Sequence, residues 1–264
     1  MKKQSLNSIK KMATEGEKFT CLTAYDYTFT RLFNACGVDT LLVGDSLGMT
    51  IQGLSSTLPV TVDNIAYHTH AVAKGNSTAL IISDMPFMSY HSIQDALTNA
   101  GILMRAGAEM VKLEGGAWLC DTVRELSRNG VPTCIHMGLT PQSVNKFGGY
   151  LVQGRDEDAA QALLNDAKAL EDAGADFLLL ECVPAALAKK LTAQVNIPVI
   201  GIGAGVDTDG QVLVCYDMLG LNPDHNAKFV RNFMAETNHP AEAVKLFVSE
   251  VKAKNYPAEE HCYL

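Results

Sequence analysis

Several features that mark common protein classes are missing from this sequence. It has no cluster of Lys or Arg, and its net charge of −8 argues against a nucleic-acid surface, because phosphate binding needs positive charge. No apolar run approaches the length of a membrane span. No linker or low-complexity block divides the 264 residues, so we expect a single domain over 1–264. These absences favour a small-molecule partner over nucleic acid or a membrane.

The sequence also has no C-x-x-C pair. Its seven cysteines, an odd number, are scattered, and several of them lie inside apolar segments. This distribution favours buried free thiols in a reducing cytosol over a disulfide framework or a zinc site. The basic segment 1–19 has no apolar run after it, so we interpret it as a leader helix and not a signal peptide. A cytoplasmic protein is therefore expected.

Short apolar runs of strand length alternate with segments of helical length along the chain. Several of the helical segments end in glycine, as helix C-termini often do, and "AGA" recurs before the fourth and the sixth apolar run. The eight predicted strands are 19–26, 40–46, 79–85, 110–115, 132–138, 176–182, 198–203 and 211–217. The last segment, 226–253, is predicted to be further helix.

Eight apolar strands alternating with helices predict a parallel (β/α)8 TIM barrel, with the leader helix at its N-terminus and helices at its C-terminus. The alternative is a doubly wound open sheet. No G-x-G-x-x-G follows the first strand, and "GIGAG" (201–205) comes only after the seventh. The barrel is therefore the preferred fold.

Active sites of such barrels lie at the carboxyl ends of the strands. Any one Asp or Ser in that place most often caps the next helix, but five strand ends here carry polar side chains. Carboxylates that crowd one closed ring repel one another unless a cation or shared protons compensate. The residues are Asp45 with Ser46, Asp84, Glu114, His136 and Glu181. A metal is thus expected.

The donor atoms indicate which metal. Oxygen ligands from Asp45, Asp84 and Glu114, completed by substrate and water, suit Mg²⁺ better than zinc, although His136 nearby leaves zinc open. Lys112 and Glu114 are two residues apart in "MVKLEGG", so both side chains are predicted to point to the barrel axis. They form either a buried ion pair or a lysine that binds an anionic substrate beside a metal-binding carboxylate.

These motifs carry a family resemblance. Segments that span 23–261 together resemble the 3-methyl-2-oxobutanoate hydroxymethyltransferases, with Met137 where the family would be expected to have Leu. The number of motifs and their order make this resemblance specific. The segments are "TAYDY", "VGDSLGM", "STLPVT", "DMPFMSY", "VKLEGG", "HMGLTPQ", "FGGYLVQGR", "LLLECVP", "IPVIGIGAG", "DGQVLV" and "YPAEEH".

The resemblance implies a magnesium-dependent barrel enzyme that transfers a one-carbon unit from 5,10-methylenetetrahydrofolate to 3-methyl-2-oxobutanoate. The products would be 2-dehydropantoate and tetrahydrofolate, and the enzyme would be a cytoplasmic homo-oligomer, commonly a decamer. Asp45, Asp84 and Glu114 match the metal positions of the family. Asp45, Ser46, Asp84 and Lys112 match its oxoacid-binding positions. Glu181 matches its proton acceptor.

The chemistry expected of these residues agrees. Mg²⁺ on the oxoacid would stabilise an enolate as Glu181 removes the adjacent proton, and the enolate would attack the methylene carbon of the folate. His136 could instead relay a proton or bind the oxoacid. The long segment 138–155 is hypothesised to be either a cover over the site or an oligomer contact.

Two other functions remain open at this point. The same arrangement could serve a magnesium-dependent carbon–carbon lyase acting on another small 2-oxoacid. A non-catalytic barrel that senses a ligand is the alternative from a different class, but it leaves the ring of charges unexplained. The folate-binding residues and any feedback regulation are not indicated by the sequence.

Overall fold

A computed structural model describes residues 2–223 and 227–264, and its strands form a closed parallel barrel. Each strand pairs with the next, and the first pairs with the last, with Phe19 opposite Gly210. This closure confirms the predicted (β/α)8 barrel and excludes the open sheet. The strands are β1 (Phe19–Thr23), β2 (Thr40–Val43), β3 (Leu80–Asp84), β4 (Met110–Glu114), β5 (Thr133–Gly138), β6 (Phe177–Glu181), β7 (Val199–Ile202) and β8 (Gly210–Leu213).

Aromatic rings fill the barrel near the amino ends of the strands. Phe19 and Phe177 come from opposite sides, are fully buried, and have ring centroids 6.1 Å apart. Gly210 makes this possible, since a Cβ atom there would lie 2.5 Å from Cε2 of Phe19. Because this end of the interior is packed with apolar groups, polar chemistry inside the barrel is left to the carboxyl ends of the strands.

Helices surround the barrel, and most of the long ones begin with a side-chain cap. Asp26, Thr61, Ser92 and Asp156 each accept a hydrogen bond from a backbone N–H in the first turn of their helix. The α-helices are α1 (Leu6–Thr14), α2 (Tyr27–Cys36), α3 (Leu47–Thr50), α4 (Val62–Gly75), α5 (Ile93–Ala106), α6 (Cys120–Arg128), α7 (Val144–Phe147), α8 (Glu157–Ala173), α9 (Ala185–Gln194), α10 (Cys215–Met218) and α11 (Pro240–Lys252). Short 3₁₀ turns occur at Ala117–Leu119, Pro141–Ser143, Phe233–Glu236 and Glu259–His261.

The recurring "AGA" is a helix-to-strand turn, as predicted. Gly107 and Gly174 end α5 and α8 in the left-handed conformation, with φ of +117° and +103°. The N–H of the alanine that follows each glycine bonds back to a carbonyl in the last turn, of Leu103 in one case and Leu170 in the other. Glycine adopts this conformation without the steric penalty that a side chain would bring.

The predicted strands are mostly a few residues too long, since β1 ends at Thr23 and not at 26, and β2 ends at Val43 and not at 46. Strand β8 ends at Leu213, so the predicted strand 211–217 was too long, and its last residues lie in α10. The predicted helix over 226–253 is wrong at its start, because α11 begins only at Pro240, which occupies the first turn after the His239 cap. Residue 226 lies outside the described residues. The segment 138–155 also holds a 3₁₀ turn and α7.

The leader helix is α1, with a capping box at Ser5. Within the residues that the structure describes, no helix is both long enough and apolar enough to cross a bilayer. All seven cysteines are free thiols, and all except the partly exposed Cys120 are buried. The predicted buried free thiols are thus confirmed for six of the seven.

Candidate active site

The site lies at the carboxyl ends of β3 to β6, where strand pairing sets charged side chains side by side. Asp84 is the register partner of Lys112, and Glu114 is the register partner of His136. All four side chains are almost completely buried. The strand alternation predicted for Lys112 and Glu114 is therefore confirmed, because both side chains meet the same polar neighbours inside the barrel.

Lys112 is at the centre of this group of four charged side chains. Its Nζ atom lies 3.2 Å from Oδ1 of Asp84, 3.4 Å from Oε1 of Glu114 and 3.3 Å from Nδ1 of His136. Burial alone would lower the pKa of Lys112, but the charges of Asp84, Glu114 and Asp45 together raise it well above its usual value. The lysine is thus a permanent positive charge that several carboxylates share.

Asp45 follows β2 and approaches Asp84 from the side. Its backbone N–H donates to Oδ2 of Asp84 over 2.9 Å, and its carboxylate Oδ2 accepts from the Gln142 side chain over 2.8 Å. Burial, followed by the charges of Asp84 and Glu114, raises the pKa of Asp45 well above its usual range. Burial also raises the pKa of Asp84, against the opposing effect of Lys112. The charges of neighbouring carboxylates therefore disfavour a second ionised carboxylate here, and a cation would relieve this repulsion.

The pKa of Glu114 is lowered, in contrast to the raised pKa values of Asp45 and Asp84. Its Oε1 lies near Lys112 and 3.2 Å from Nδ1 of His136, and its Oε2 accepts from the backbone N–H of Gln142 over 2.9 Å. Although burial acts to raise its pKa, Lys112 and His136 hold the pKa of Glu114 at about 2. Glu114 is therefore ionised and has contacts to both of its oxygens.

The oxygen donors of Asp45 and Asp84 fit a hard divalent cation. Oδ1 of Asp84 is buried without a hydrogen bond, since its contact with Lys112 is an ion pair outside hydrogen-bond geometry. Across residues 2–223 and 227–264, no three His, Cys, Asp or Glu side chains converge closely enough to hold an ion by themselves. Mg²⁺ commonly binds through one or two carboxylates and keeps several waters. Direct ligation by Glu114 stays a prediction.

Glu181 ends β6 and lies nearer to solvent than the other charges, with 15% of its side chain exposed. Its Oε2 lies 3.1 Å from Nε2 of His136. Burial and the charge of Lys112 act to lower the pKa of His136, but Glu114 and Glu181 raise it to about 9. His136 thus links the inner carboxylate, Glu114, to the outer one, Glu181.

Ser46 also lies at this end of the barrel. Its hydroxyl is 2.8 Å from the hydroxyl of Tyr25, a buried residue just after β1. The structure thus brings all of the predicted site residues to one end of the barrel. It adds three that we did not predict, namely Tyr25, Tyr90 and Gln142. Each of the three lies within a quoted motif, "TAYDY", "DMPFMSY" or "HMGLTPQ", and that position was the only sequence signal.

The segment 138–155 begins inside the site and reaches the surface at Tyr150. Gln142 is 5% exposed, whereas Tyr150 is half exposed and its hydroxyl lies 3.8 Å from the Met49 sulfur, on the other side of the mouth. Burial, and then the charges of Glu181, Asp45 and Glu114, raise the pKa of Tyr150. The tyrosine therefore lies within electrostatic reach of the charged ring.

Solved structures with the same fold include a hydrolase and a lyase. Phosphonopyruvate hydrolase in complex with oxalate and Mg²⁺ is similar with a TM-score of 0.63 at 13% identity, over 94% of this chain and 96% of that chain. The 2,3-dimethylmalate lyase, a member of the PEP mutase/isocitrate lyase superfamily, has a TM-score of 0.59 at 14% identity, over 83% of each chain. At such low identity these similarities show a shared barrel fold alone.

Sequence comparison is more specific. The profile of the ketopantoate hydroxymethyltransferase family matches residues 3–259. Two relatives are named 3-methyl-2-oxobutanoate hydroxymethyltransferase: that of Marinobacter nauticus is 58% identical and covers 98% of both chains, and that of Yersinia enterocolitica is 56% identical and covers 100% of both. These matches confirm the resemblance carried by the motifs.

Proposed function

This chain belongs to the ketopantoate hydroxymethyltransferase family, and we propose that it transfers a hydroxymethyl group from 5,10-methylenetetrahydrofolate to 3-methyl-2-oxobutanoate. The products are 2-dehydropantoate and tetrahydrofolate, in the synthesis of pantothenate, and water supplies the new hydroxyl oxygen. The buried ring of carboxylates around Lys112 carries this proposal, because a divalent cation and an anionic oxoacid together would balance its charges. We assign the whole activity to one catalytic domain, 1–264.

Asp45 and Asp84 are the proposed Mg²⁺ ligands, with Glu114 completing the metal environment. The raised pKa of Asp45 supports this assignment, since a cation would take the place of the proton that burial otherwise favours. When bound, Mg²⁺ would offset the negative charge that develops on the ketone oxygen of the oxoacid. Ligand chemistry favours Mg²⁺ over zinc, because carboxylate oxygens are the preferred donors of Mg²⁺.

Lys112 and Ser46 are proposed to hold the carboxylate of the oxoacid, and Asp45 and Asp84 to contact its reacting end. The pKa of Lys112 is well above its usual value, so its Nζ stays positively charged and can pair with a substrate carboxylate. Ser46 offers a hydroxyl whose partner, Tyr25, is also a hydroxyl, so the pair can donate to a substrate oxygen in either direction.

Glu181 is the proposed base that removes the C3 proton of the oxoacid. It is the most exposed carboxylate of the ring, and His136 lies directly behind it. Once deprotonated, C3 would attack the methylene carbon of the folate after one of its two C–N bonds has opened, and water would then replace the second nitrogen, which releases tetrahydrofolate with the water proton and leaves the new hydroxyl. No side chain becomes covalently attached. Cys182, next to Glu181, lies beyond the end of β6 and is not needed as a nucleophile.

We further propose that the outer part of 138–155 covers the site. We also propose that the enzyme acts in the cytoplasm as a homo-oligomer, a decamer as is common in the family. Tyr150 is the residue that supports the cover, because it reaches Met49 on the opposite side of the mouth. Protection of this segment from proteolysis when Mg²⁺ and the oxoacid are added would support a cover. Unchanged cleavage would favour an oligomer contact, and sedimentation of the purified enzyme measures the oligomer number.

The test of the function is an assay of tetrahydrofolate and 2-dehydropantoate formation with each component left out in turn. We expect product only when the oxoacid, 5,10-methylenetetrahydrofolate and Mg²⁺ are all present. Cleavage of an oxoacid without folate would instead indicate a lyase. A melting temperature that neither Mg²⁺ nor the oxoacid raises, together with no turnover, would indicate a non-catalytic barrel.

A further inference from the structure

Gln142 contacts the ends of three strands although it belongs to none of them. Its side-chain Nε2 donates to Oδ2 of Asp45 over 2.8 Å and to the carbonyl oxygen of Met85 over 3.0 Å. Its backbone N–H donates to Oε2 of Glu114 over 2.9 Å. One residue from the 3₁₀ turn after β5 thus contacts the ends of β2, β3 and β4. We infer that Gln142 is a positioning residue that aims the carboxylates of Asp45 and Glu114.

The Met85 carbonyl, which can only accept, fixes which way the amide of Gln142 faces, and the hydroxyl of Tyr90 complements that orientation. That hydroxyl donates to Oε1 of Gln142 over 2.6 Å and accepts from the backbone N–H of Glu114 over 3.2 Å. A flipped amide would turn its oxygen towards the Met85 carbonyl and the Asp45 carboxylate, which can only accept when Asp45 is ionised. The observed orientation is therefore the one in which every group has a complementary partner. Tyr90 and Gln142 are both more than nine-tenths buried, so water cannot readily replace either contact.

This arrangement determines how Asp45 meets a cation. Because Gln142 holds Oδ2, Oδ1 is the oxygen left for a metal ion, and the amide dipole favours the ionised carboxylate that a metal needs. Hydrogen bonds to metal-binding carboxylates typically change metal affinity by about 10- to 100-fold. The inference rests on the proposed Mg²⁺ site, and it adds a residue that acts on that site through Asp45 and not by touching substrate.

The test is calorimetric titration of the folded enzyme with Mg²⁺ alone. Gln142→Leu keeps the backbone bond to Glu114 and removes the amide, so we expect Mg²⁺ to bind about 10- to 100-fold more weakly. The matched control is Gln211→Leu, which removes another buried amide of the barrel, one that bonds Gly205 and Thr208. That control is expected to lose stability and to keep the Mg²⁺ affinity of the wild type.

The outcomes separate this inference from the proposed function. If the wild type does not bind Mg²⁺, the metal site is wrong and the inference falls with it. If the wild type binds but Gln142→Leu binds equally well, the metal site stands and only the positioning role is overturned. Weaker binding in Gln142→Leu but not in Gln211→Leu supports the role.

Tyr90→Phe provides a second variant, which removes one hydroxyl and decides the matter if Gln142→Leu does not fold. We expect a smaller but measurable loss of Mg²⁺ affinity, about 2- to 10-fold, and a matching rise in the Mg²⁺ concentration that gives half-maximal rate. Its control is Tyr256→Phe, a buried tyrosine near the C-terminus that bonds the Phe229 carbonyl. Unchanged affinity in Tyr90→Phe would overturn the inference that the hydrogen-bonded pair of Tyr90 and Gln142 aims the Asp45 carboxylate.

Discussion

The Nε2 atom of His136 lies 3.1 Å from Oε2 of Glu181, and its Nδ1 atom lies 3.3 Å from Nζ of Lys112. If His136 is protonated, both ring nitrogens carry hydrogen. If it is neutral, either Nδ1 accepts from Lys112 and Nε2 carries the hydrogen, or Nδ1 donates to Oε1 of Glu114, 3.2 Å away. The pKa of His136, about 9, favours the protonated form, in which Nε2 carries a hydrogen on the side of Glu181, and this supports Glu181 as the proposed base with His136 as its partner.

Glu181→Gln should therefore abolish proton removal and preserve binding. With Mg²⁺ and no folate, we expect the wild type to exchange the C3 proton of 3-methyl-2-oxobutanoate with solvent deuterium. The variant should lose this exchange while still binding the oxoacid, because the amide is nearly isosteric but is not an effective base. NMR in D₂O follows the C3 position directly. Exchange as fast as that of the wild type would assign the role to His136 or to a water.

His136 should make the stability of the metal-free protein fall as the pH rises. Its pKa in the folded state is about 9, against an ordinary value of 6.5. The stabilisation is thus fully present below about pH 6.5 and is lost as the pH rises through about 9. The raised pKa of Asp45 acts in the same direction. We expect His136→Gln to remove about 1–3 kcal/mol of this pH dependence.

Urea unfolding with EDTA at about pH 6 and about pH 10 measures this difference in the free energy of unfolding. His91→Gln is the control, since His91 is an exposed histidine that pairs with Asp95 on the surface. A slope with pH that is the same in the wild type and in His136→Gln would contradict the charged state assigned to His136.

Asp84→Asn should weaken Mg²⁺ binding and turnover together. The change keeps the shape of the side chain and removes the negative charge of Asp84, whose Oδ1 is buried without a hydrogen bond. We expect a loss of Mg²⁺ affinity of about 10-fold or more, measured by calorimetry, and a parallel rise in the Mg²⁺ needed for turnover. Asp121→Asn, an exposed aspartate paired with Arg124, provides the control. Magnesium dependence like that of the wild type would eliminate ligation by Asp84.

Lys112→Ala should reduce oxoacid binding more than folate binding. The lysine is the one amine in contact with Asp84 and Glu114 among the described residues, so its loss also leaves these buried charges uncompensated. We therefore expect a loss of stability of about 3 kcal/mol or more as well. Lys168→Ala, at an exposed helical ion pair, is the comparison. Equal losses for the two substrates, measured by calorimetry, would reduce Lys112 to a structural ion-pair partner.

The sequence by itself determined the barrel and the direction of its strand-end side chains. Apolar runs buried on both faces predict parallel strands, and the two-residue period of a strand is enough to place Lys112 and Glu114 on the axis. Both properties depend on local geometry, which a chain encodes within a few residues. The glycine turns before β4 and β6 were predictable for the same reason, since only the local backbone conformation decides them.

Contacts between distant segments needed the tertiary structure. Gln142 lies 97 residues from Asp45, and no pattern in the sequence states that the turn after β5 reaches past β4 and β3 to the end of β2. The charge of His136 depends on Glu114 and Glu181 at once, so neither its protonation nor its role follows from its position alone. Closure of the barrel fixes these distances, because the tilt of the strands and the radius of the barrel decide which side chains meet. The distance between two residues along the chain does not give their distance in space.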